Sequence, residues 1–212
     1  MSAPAAGHEF ADRPGVSGVA VLVPVKAFHA AKRRLSPALD DRARQELSRR
    51  MATAVVRAAG ELPVSVVCDD HEVAAWAAEM GAEVIWRPGR GLDGAVADGV
   101  AQLAARGVER VIVAHADLPH ARDLAWVAAG DGVTLVPDRR DDGTNVACVP
   151  ARAGFRFSYG PGSFHRHQTE AHRLGLPLRV VREARLGWDV DLPGDLEPPA
   201  WLALTRPASE QG

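Results

Sequence analysis

Val111-Ile112-Val113-Ala114-His115-Ala116-Asp117-Leu118-Pro119 is the stretch that decides the fold. It opens as a β-branched apolar run too short for a helix, the mark of a strand buried on both faces. Pro119 cannot continue a strand and suits the first turn of a following helix, so Asp117 falls at the strand's carboxyl end. In open α/β sheets, ligands lie in the crevice beyond those ends. A carboxylate there can hold a metal ion over a bound phosphate; the competing role is a plain cap on the next helix.

Upstream, Gly18–Val25 is a second apolar run and therefore a central strand. Lys26–Ser36 is a loop, and Asp40 or Asp41 caps a helix reaching about Ala59, with Leu47, Met51, Ala54, Val55 and Ala58 on one face. Val64–Cys68 is a strand. Asp70 caps a helix that Gly81 closes, and Ala82–Trp86 is a further strand. Asp93 is expected to cap the helix that stops at Gly107. This alternation implies right-handed crossovers and an α/β fold of three layers, a mostly parallel twisted sheet with helices on both faces.

Downstream, the rhythm changes. After a helix expected near Arg122–Ala129, Val133–Pro137 and Asn145–Pro150 flank a polar connection and read as a strand pair. Phe155–Gly162 is loop, Ser163 opens a helix ending at Gly175, and Leu178–Val181 is a strand leading into Gly187-Trp188-Asp189-Val190-Asp191-Leu192-Pro193. No repeat or linker divides the chain. Residues 18–204 are expected to form one domain, between a flexible tail at 1–17 and a second tail at 205–212.

With 212 residues, 47% of them apolar, the chain can bury a sizeable core. A net charge of −2 argues against a protein that coats nucleic acid, and no apolar run approaches a membrane span. Cys68 and Cys148 are too few for a disulfide framework and fall in apolar runs, as reduced core residues of a cytoplasmic protein do.

Three features carry chemistry. Lys26, Lys32 and Arg34 follow the first strand, where a phosphate would sit, yet the turn has neither G-x-G-x-x-G nor G-x-x-x-x-G-K-[ST]. Side chains must then grip the phosphate along with backbone amides. Asp117 is joined by Asp189 and Asp191 in a similar setting, an acid before Leu-Pro. Carboxylates from separate strands suit Mg²⁺ ions on a triphosphate, because Mg²⁺ prefers hard oxygen ligands. Alternation puts Asp189 and Asp191 on the same side of a strand, so spacing does not choose between them, and Asp191 is alternatively the cap of a last helix. Finally, Gly143-Thr144-Asn145 and Tyr159-Gly160-Pro161-Gly162-Ser163 are small and hydroxyl-bearing, and Ser163 at a helix start offers free N–H groups to an anion. His165 and His167 point to different sides of a helix with no Cys or His at zinc spacing, which argues against a zinc site.

Taken in order, Pro24-Val25-Lys26, Lys32-Arg33-Arg34-Leu35, Gly91-Leu92, Asp117-Leu118-Pro119, Asp142-Gly143-Thr144-Asn145, Tyr159-Gly160-Pro161-Gly162-Ser163 with His167, and Asp189-Val190-Asp191 resemble the phosphoenolpyruvate and 2-phospho-L-lactate guanylyltransferases of coenzyme F-420 biosynthesis. The resemblance runs from about Val19 to Leu196. It implies a nucleotidyltransferase fold like that of the molybdenum-cofactor guanylyltransferases (GT-A-like). The product would be enolpyruvyl-diphospho-guanosine, made from GTP and phosphoenolpyruvate with release of pyrophosphate. By the same resemblance Asp117 and the acids of Asp189-Val190-Asp191 hold Mg²⁺, with Lys26, Asp117 and Asp189 catalytic. Thr144, Gly160 and Ser163 bind phosphoenolpyruvate, and Lys26, Lys32, Arg34, Gly91, Leu92 and Asn145 bind the nucleotide. The chain departs from the family pattern at Asp93 (usually Asn), Tyr159 (usually Phe) and Leu192 (usually Thr).

The implied partners are GTP, a small phosphorylated three-carbon acid and the next transferase of the pathway, which takes the product; nucleic acid and membrane are not among them, and a homodimer is compatible with the sequence. The acid is phosphoenolpyruvate, 2-phospholactate or 3-phosphoglycerate, and transfer to a sugar phosphate or cofactor is the related alternative. A nicotinamide oxidoreductase would want the missing glycine fingerprint, and a GTP-binding regulator would need no second acid.

Overall fold

Residues alternate across β1 (Val19–Pro24): Val19, Val21 and Val23 enter one core, Ala20 and Leu22 the other. A strand that buries both faces leaves no position for a polar side chain, which is why the run reads as continuously apolar. The computed structural model describes residues 18–200 and Leu202. The expected tails at 1–17 and 205–212 lie outside the described residues.

After β1 come α1 (Asp41–Ala58), β2 (Val64–Cys68), α2 (His71–Glu79), β3 (Glu83–Trp86), α3 (Gly91–Ala105) and β4 (Arg110–Ala114). Then follow β5 (Val133–Pro137), β6 (Thr144–Pro150), α4 (Ser163–Arg173) and β7 (Leu178–Val180). The seven strands form one sheet in the order β3-β2-β1-β4-β6-β5-β7. β1 pairs in parallel with β2 and β4, β2 with β3, and β5 with β7, whereas β6 runs antiparallel to both of its neighbours. Buried residues of α1 and α2, such as Val55, Val73 and Trp76, cover one face of the sheet. Val96, Val100 and Leu103 of α3 and Phe164 and Ala171 of α4 cover the other. Gly99 lets α3 approach β1 closely: a Cβ there would lie 2.7 Å from Cδ2 of Leu22.

Local chemistry sets the boundaries. The Asp40 carboxylate accepts the Ala43 N–H at 2.7 Å and Asp70 accepts that of Val73 at 3.0 Å, each capping its helix. Two expectations and two competing readings fail. No helix spans Arg122–Ala129; the segment makes only a 3-10 turn at Ala125–Ala128. Leu118, Ala121, Leu124 and Val127, all buried, recur every third residue, a spacing that successive tight turns satisfy and an α-helix does not. Asp117 caps no helix either, because Pro119 enters a turn closed by Ala121 N–H on the Leu118 carbonyl. α3 starts at Gly91, whose φ of +62° turns the chain early, so Asp93 lies inside its first turn and instead accepts the Tyr159 N–H at 2.8 Å. Finally, the 3-10 turn Pro193–Leu196 is capped by Asp195, whose carboxylate takes the N–H groups of Asp191 and Leu192. The Asp191 side chain is thereby left for other work.

β1 and β4 are adjacent and parallel, but their connections leave in opposite directions along the sheet, to β2 and toward β6. That reversal opens a crevice at their carboxyl ends. The loop after β1 and the Asp117 loop after β4 both end there.

Candidate active site

Two backbone contacts bring the distant acids together. The Val190 N–H donates to the Asp117 carbonyl at 3.2 Å, so the 187–191 segment runs beside the Asp117 loop. Asn145, buried on β6, holds the approach to that segment by donating its side-chain amide to the Leu186 carbonyl at 2.9 Å. Arg139 fastens the far side. Its backbone N–H donates to Gly187, its guanidinium donates to the Asp189 carbonyl at 3.1 Å and pairs with Asp195, and it lies 4.2 Å over the Trp188 ring.

Lys32 sits at the centre of the acids. Held with a φ of +54°, it donates from Nζ to Asp117 Oδ2 at 2.6 Å and to Asp191 Oδ1 at 2.8 Å. Burial opposes its charge, but the two carboxylates keep its pKa above the ordinary lysine value. Burial likewise works against the Asp117 carboxylate, yet Lys32 holds its pKa below the usual range. The Asp189 carboxylate meets only the edge of the Arg139 guanidinium, at 3.5 Å; burial, then the nearby charge of Asp117, pushes it up to about 6. The two acids of Asp189-Val190-Asp191 thus differ in surroundings, Asp191 sharing the Lys32 ammonium with Asp117 and Asp189 lying buried beside Arg139.

Among the described residues, no group of three His, Cys, Asp or Glu side chains converges on a single ion position. A divalent cation nevertheless fits. The pair Asp117–Asp191 already embraces a cation, the Lys32 ammonium. Asp117 Oδ1 is buried without a partner, and the donors are all hard oxygens. Mg²⁺ needs only one or two protein carboxylates when phosphates and waters complete its shell.

A second cluster lies alongside, built by the reversed strand. Because β6 runs against β4, its first residues sit beyond Ala114, and the His115 N–H donates to the Asn145 carbonyl at 3.0 Å. Thr144, buried at the start of β6, donates its N–H to Ser163 Oγ at 3.1 Å, and its Oγ1 lies 3.0 Å from His167 Nδ1. Ser163 opens α4 as expected, with its hydroxyl turned to Thr144 and not to its own helix. Gly160, at φ +97°, lies in the preceding loop, whose carbonyls at Ser158, Tyr159 and Pro161 are gathered by the Arg166 guanidinium. Between the clusters runs a row of rings: His115 to Tyr159 at 4.8 Å and Tyr159 to His167 at 5.0 Å. His115 Nε2 and the Tyr159 hydroxyl are also buried without partners. Burial lowers the pKa of His115 and raises that of Tyr159, so both rings are neutral at neutral pH.

The remaining candidates lie around this core. Lys26, exposed just past β1, is close enough to lower the His115 pKa. Lys32 meets carboxylates here, where the nucleotide-phosphate role was expected of it. Arg34 is exposed on a 3-10 turn pinned by buried Leu35. Gly91 and Leu92 form the start of α3, tied to the 155–162 loop through Asp93 and Tyr159. The structural parts played by Arg139 and Asp195 were not read from the sequence. Arg139 sits in a charge run indistinguishable from a solvated face, whereas Asp195 could have been found as the third residue of a Pro-led turn. His115, a polar residue closing an apolar strand, was likewise visible and passed over.

Known proteins share the fold, and relatives place the chain in a family. A solved nucleotidyl transferase from Methanothermobacter thermautotroptrophicus, 17% identical, superposes with a TM-score of 0.60 over 85% of this chain and 95% of its own; at that identity the likeness is one of fold. A phosphoenolpyruvate guanylyltransferase of Sphaerobacter thermophilus is 35% identical over 90% of this chain and 96% of the relative. One from Roseiflexus castenholzii is 35% identical over 86% of each. The model of the family described as "Guanylyl transferase CofC like" matches residues 19–198, and the chain belongs to that family of nucleotidyltransferases.

Proposed function

We propose that this chain transfers the GMP moiety of GTP to phosphoenolpyruvate, giving enolpyruvyl-diphospho-guanosine and pyrophosphate in coenzyme F-420 biosynthesis. One observation carries the reading: two carboxylates from remote parts of the chain close on a cation in the crevice, beside a pocket of two hydroxyls suited to an anion. Relatives that bear the phosphoenolpyruvate guanylyltransferase name over nearly their full length support the choice of acid.

In the proposed reaction an oxygen of the acceptor phosphate attacks the α-phosphorus of GTP, the new O–P bond forms and the bond to the β-phosphate oxygen breaks. A phosphomonoester with a second pKa near ~6 is already largely dianionic at neutral pH, so no general base is required. The difficulty is charge, an anion approaching a polyanion. When bound at Asp117 and Asp191, Mg²⁺ would supply positive charge to the triphosphate. Lys26 and Lys32 carry further positive charge at the crevice, and Thr144 and Ser163 orient the acceptor. Catalysis is then positioning and electrostatic stabilisation. Cytoplasmic residence is part of the same proposal; both cysteines are buried and free, and no helix of the described residues is long and apolar enough to cross a membrane.

Pyrophosphate release tests this, with phosphoenolpyruvate, 2-phospholactate and 3-phosphoglycerate each offered with GTP or ATP and magnesium. Release with GTP and phosphoenolpyruvate, exceeding every other pairing, is expected. No release with any GTP pairing would overturn guanylyl transfer, and a clear preference for another acid would overturn phosphoenolpyruvate as substrate.

A further inference from the structure

His167 is fully buried on α4 among Phe155, Phe157 and Tyr159, an unusual place for an imidazole unless both ring nitrogens are engaged. They are. The backbone N–H of Ser158 lies 2.9 Å from Nε2, and Nδ1 lies 3.0 Å from Thr144 Oγ1. A backbone N–H can only donate, so Nε2 must be the bare, accepting nitrogen. In a neutral imidazole the proton is then on Nδ1, which donates to Thr144. A hydroxyl that accepts from the ring keeps its own proton to give. The same logic holds next door: Ser163 Oγ accepts the Thr144 N–H and retains its proton. Among the described residues, neither hydroxyl proton meets an acceptor.

Resting on the assignment of this pocket to the phospho-acid, we infer that His167 is a positioning residue, which turns the Thr144 hydroxyl into a hydrogen-bond donor for the acceptor substrate's anionic oxygens, beside the Ser163 hydroxyl that the Thr144 backbone N–H orients in the same sense. With the ring protonated on Nε2 instead, Thr144 would spend its proton on Nδ1 and present lone pairs to the anion. The Ser158 amide forbids that alternative, and the loop that carries Ser158 is itself clamped by Arg166, which bonds Ser158 through both its carbonyl and its hydroxyl. The selectivity is therefore one of polarity: ligands that bring acceptor oxygens are held and ligands that bring donors are not.

A double-mutant cycle with Thr144 tests the inference. His167→Leu is expected to raise the KM for phosphoenolpyruvate by about tenfold or more, the loss of one hydrogen bond to a charged group, with the KM for GTP nearly unchanged. His167→Asn, whose amide nitrogen overlays Nδ1 and donates in its place, should recover most of that loss. In a Thr144→Val background the hydroxyl is gone, and His167→Leu should then add little. A purely structural role would instead add its full cost in both backgrounds, and that result overturns the inference, as does failure of His167→Asn to recover. Nitrogen NMR of the histidine rings in the unmutated protein gives a readout that needs no activity and no variant: Nδ1 protonated is expected, and Nε2 protonated refutes. Absence of guanylyl transfer in the unmutated protein would count against the proposed function and leave the tautomer measurement standing.

Discussion

Replacing Lys32 by Met keeps the length and packing of the side chain and removes the cation between the carboxylates. Lys32 is 11% exposed on its side chain, Asp117 21% and Asp191 43%. The shielded bond to Asp117 contributes about 1.5–3 kcal/mol as a charge-assisted hydrogen bond. The bond to Asp191, closer to solvent, contributes about 0–1 kcal/mol. Met also leaves a mostly buried carboxylate uncompensated, which moves the total to roughly 3 kcal/mol. In a chain of this size that corresponds to a Tm lower by roughly 6–12 °C. The loss should be conditional, because the site then lacks a cation that magnesium can supply. At a concentration near a hundred times its dissociation constant, magnesium should restore about 2.7 kcal/mol to the variant. The parent, whose lysine competes for the same oxygens, should gain less. The assay is urea unfolding of both proteins with EDTA and with magnesium. A variant as stable as the parent in EDTA, or one equally destabilised with and without magnesium, would refute the idea that the ammonium stands where a divalent ion binds.

Asp117→Asn should lower kcat by roughly a hundredfold or more, since it removes charge from the centre of electrostatic stabilisation while leaving the backbone bond to Val190 in place; steady-state pyrophosphate release, alongside a circular dichroism spectrum, reads both. Gly99→Ala should destabilise by about 1–3 kcal/mol with kinetic constants unaffected, because its Cβ would lie 2.7 Å from Leu22; a denaturation midpoint equal to the parent's would contradict the packing. Burial, helped by His115 and Arg166, lowers His167 from 6.5 to about 4. The unfolded chain then takes up that proton first, so stability is lost as pH falls from 6.5 toward 4, by about 3 kcal/mol in all. Asp189, raised to about 6, works in the opposite sense. The His167 effect is therefore read as the difference between parent and His167→Asn in urea midpoints across that range, and a constant difference would contradict it.

The parallel half of the fold was legible because its signals were strong and local. Apolar runs such as Val111–Ala114 admit no reading but a central strand, and Asp40 and Asp70 cap as the sequence suggests. Legibility failed where a segment's shape depends on what it packs against. The helix expected at Arg122–Ala129 dissolved into turns, since the buried residues recur at threes under the sheet. The capping residues of α3 and of the 193–196 turn were misplaced for a related reason: each carboxylate had two positions within reach, and tertiary partners chose between them. Within the site, the residue types at Asp117, Asp189, Asp191, Thr144 and Ser163 were visible in advance. Their grouping was expected from the similar settings of the acids and from the family resemblance; what enforces it was not legible, because Arg139, Asn145 and the Val190–Asp117 bond act through long-range contacts that leave no periodic trace.

Strand β6 is the one that runs backwards, and it separates two tasks along the polypeptide. In an all-parallel sheet, the side chains that reach the ligand-bearing edge come only from strand tails. Reversing one strand delivers residues from a strand head to that edge, with a hairpin turn beside them, while the pleated framework beneath stays as it was. The residues at that edge can thus be exchanged by altering a short hairpin, leaving the parallel half of the sheet undisturbed.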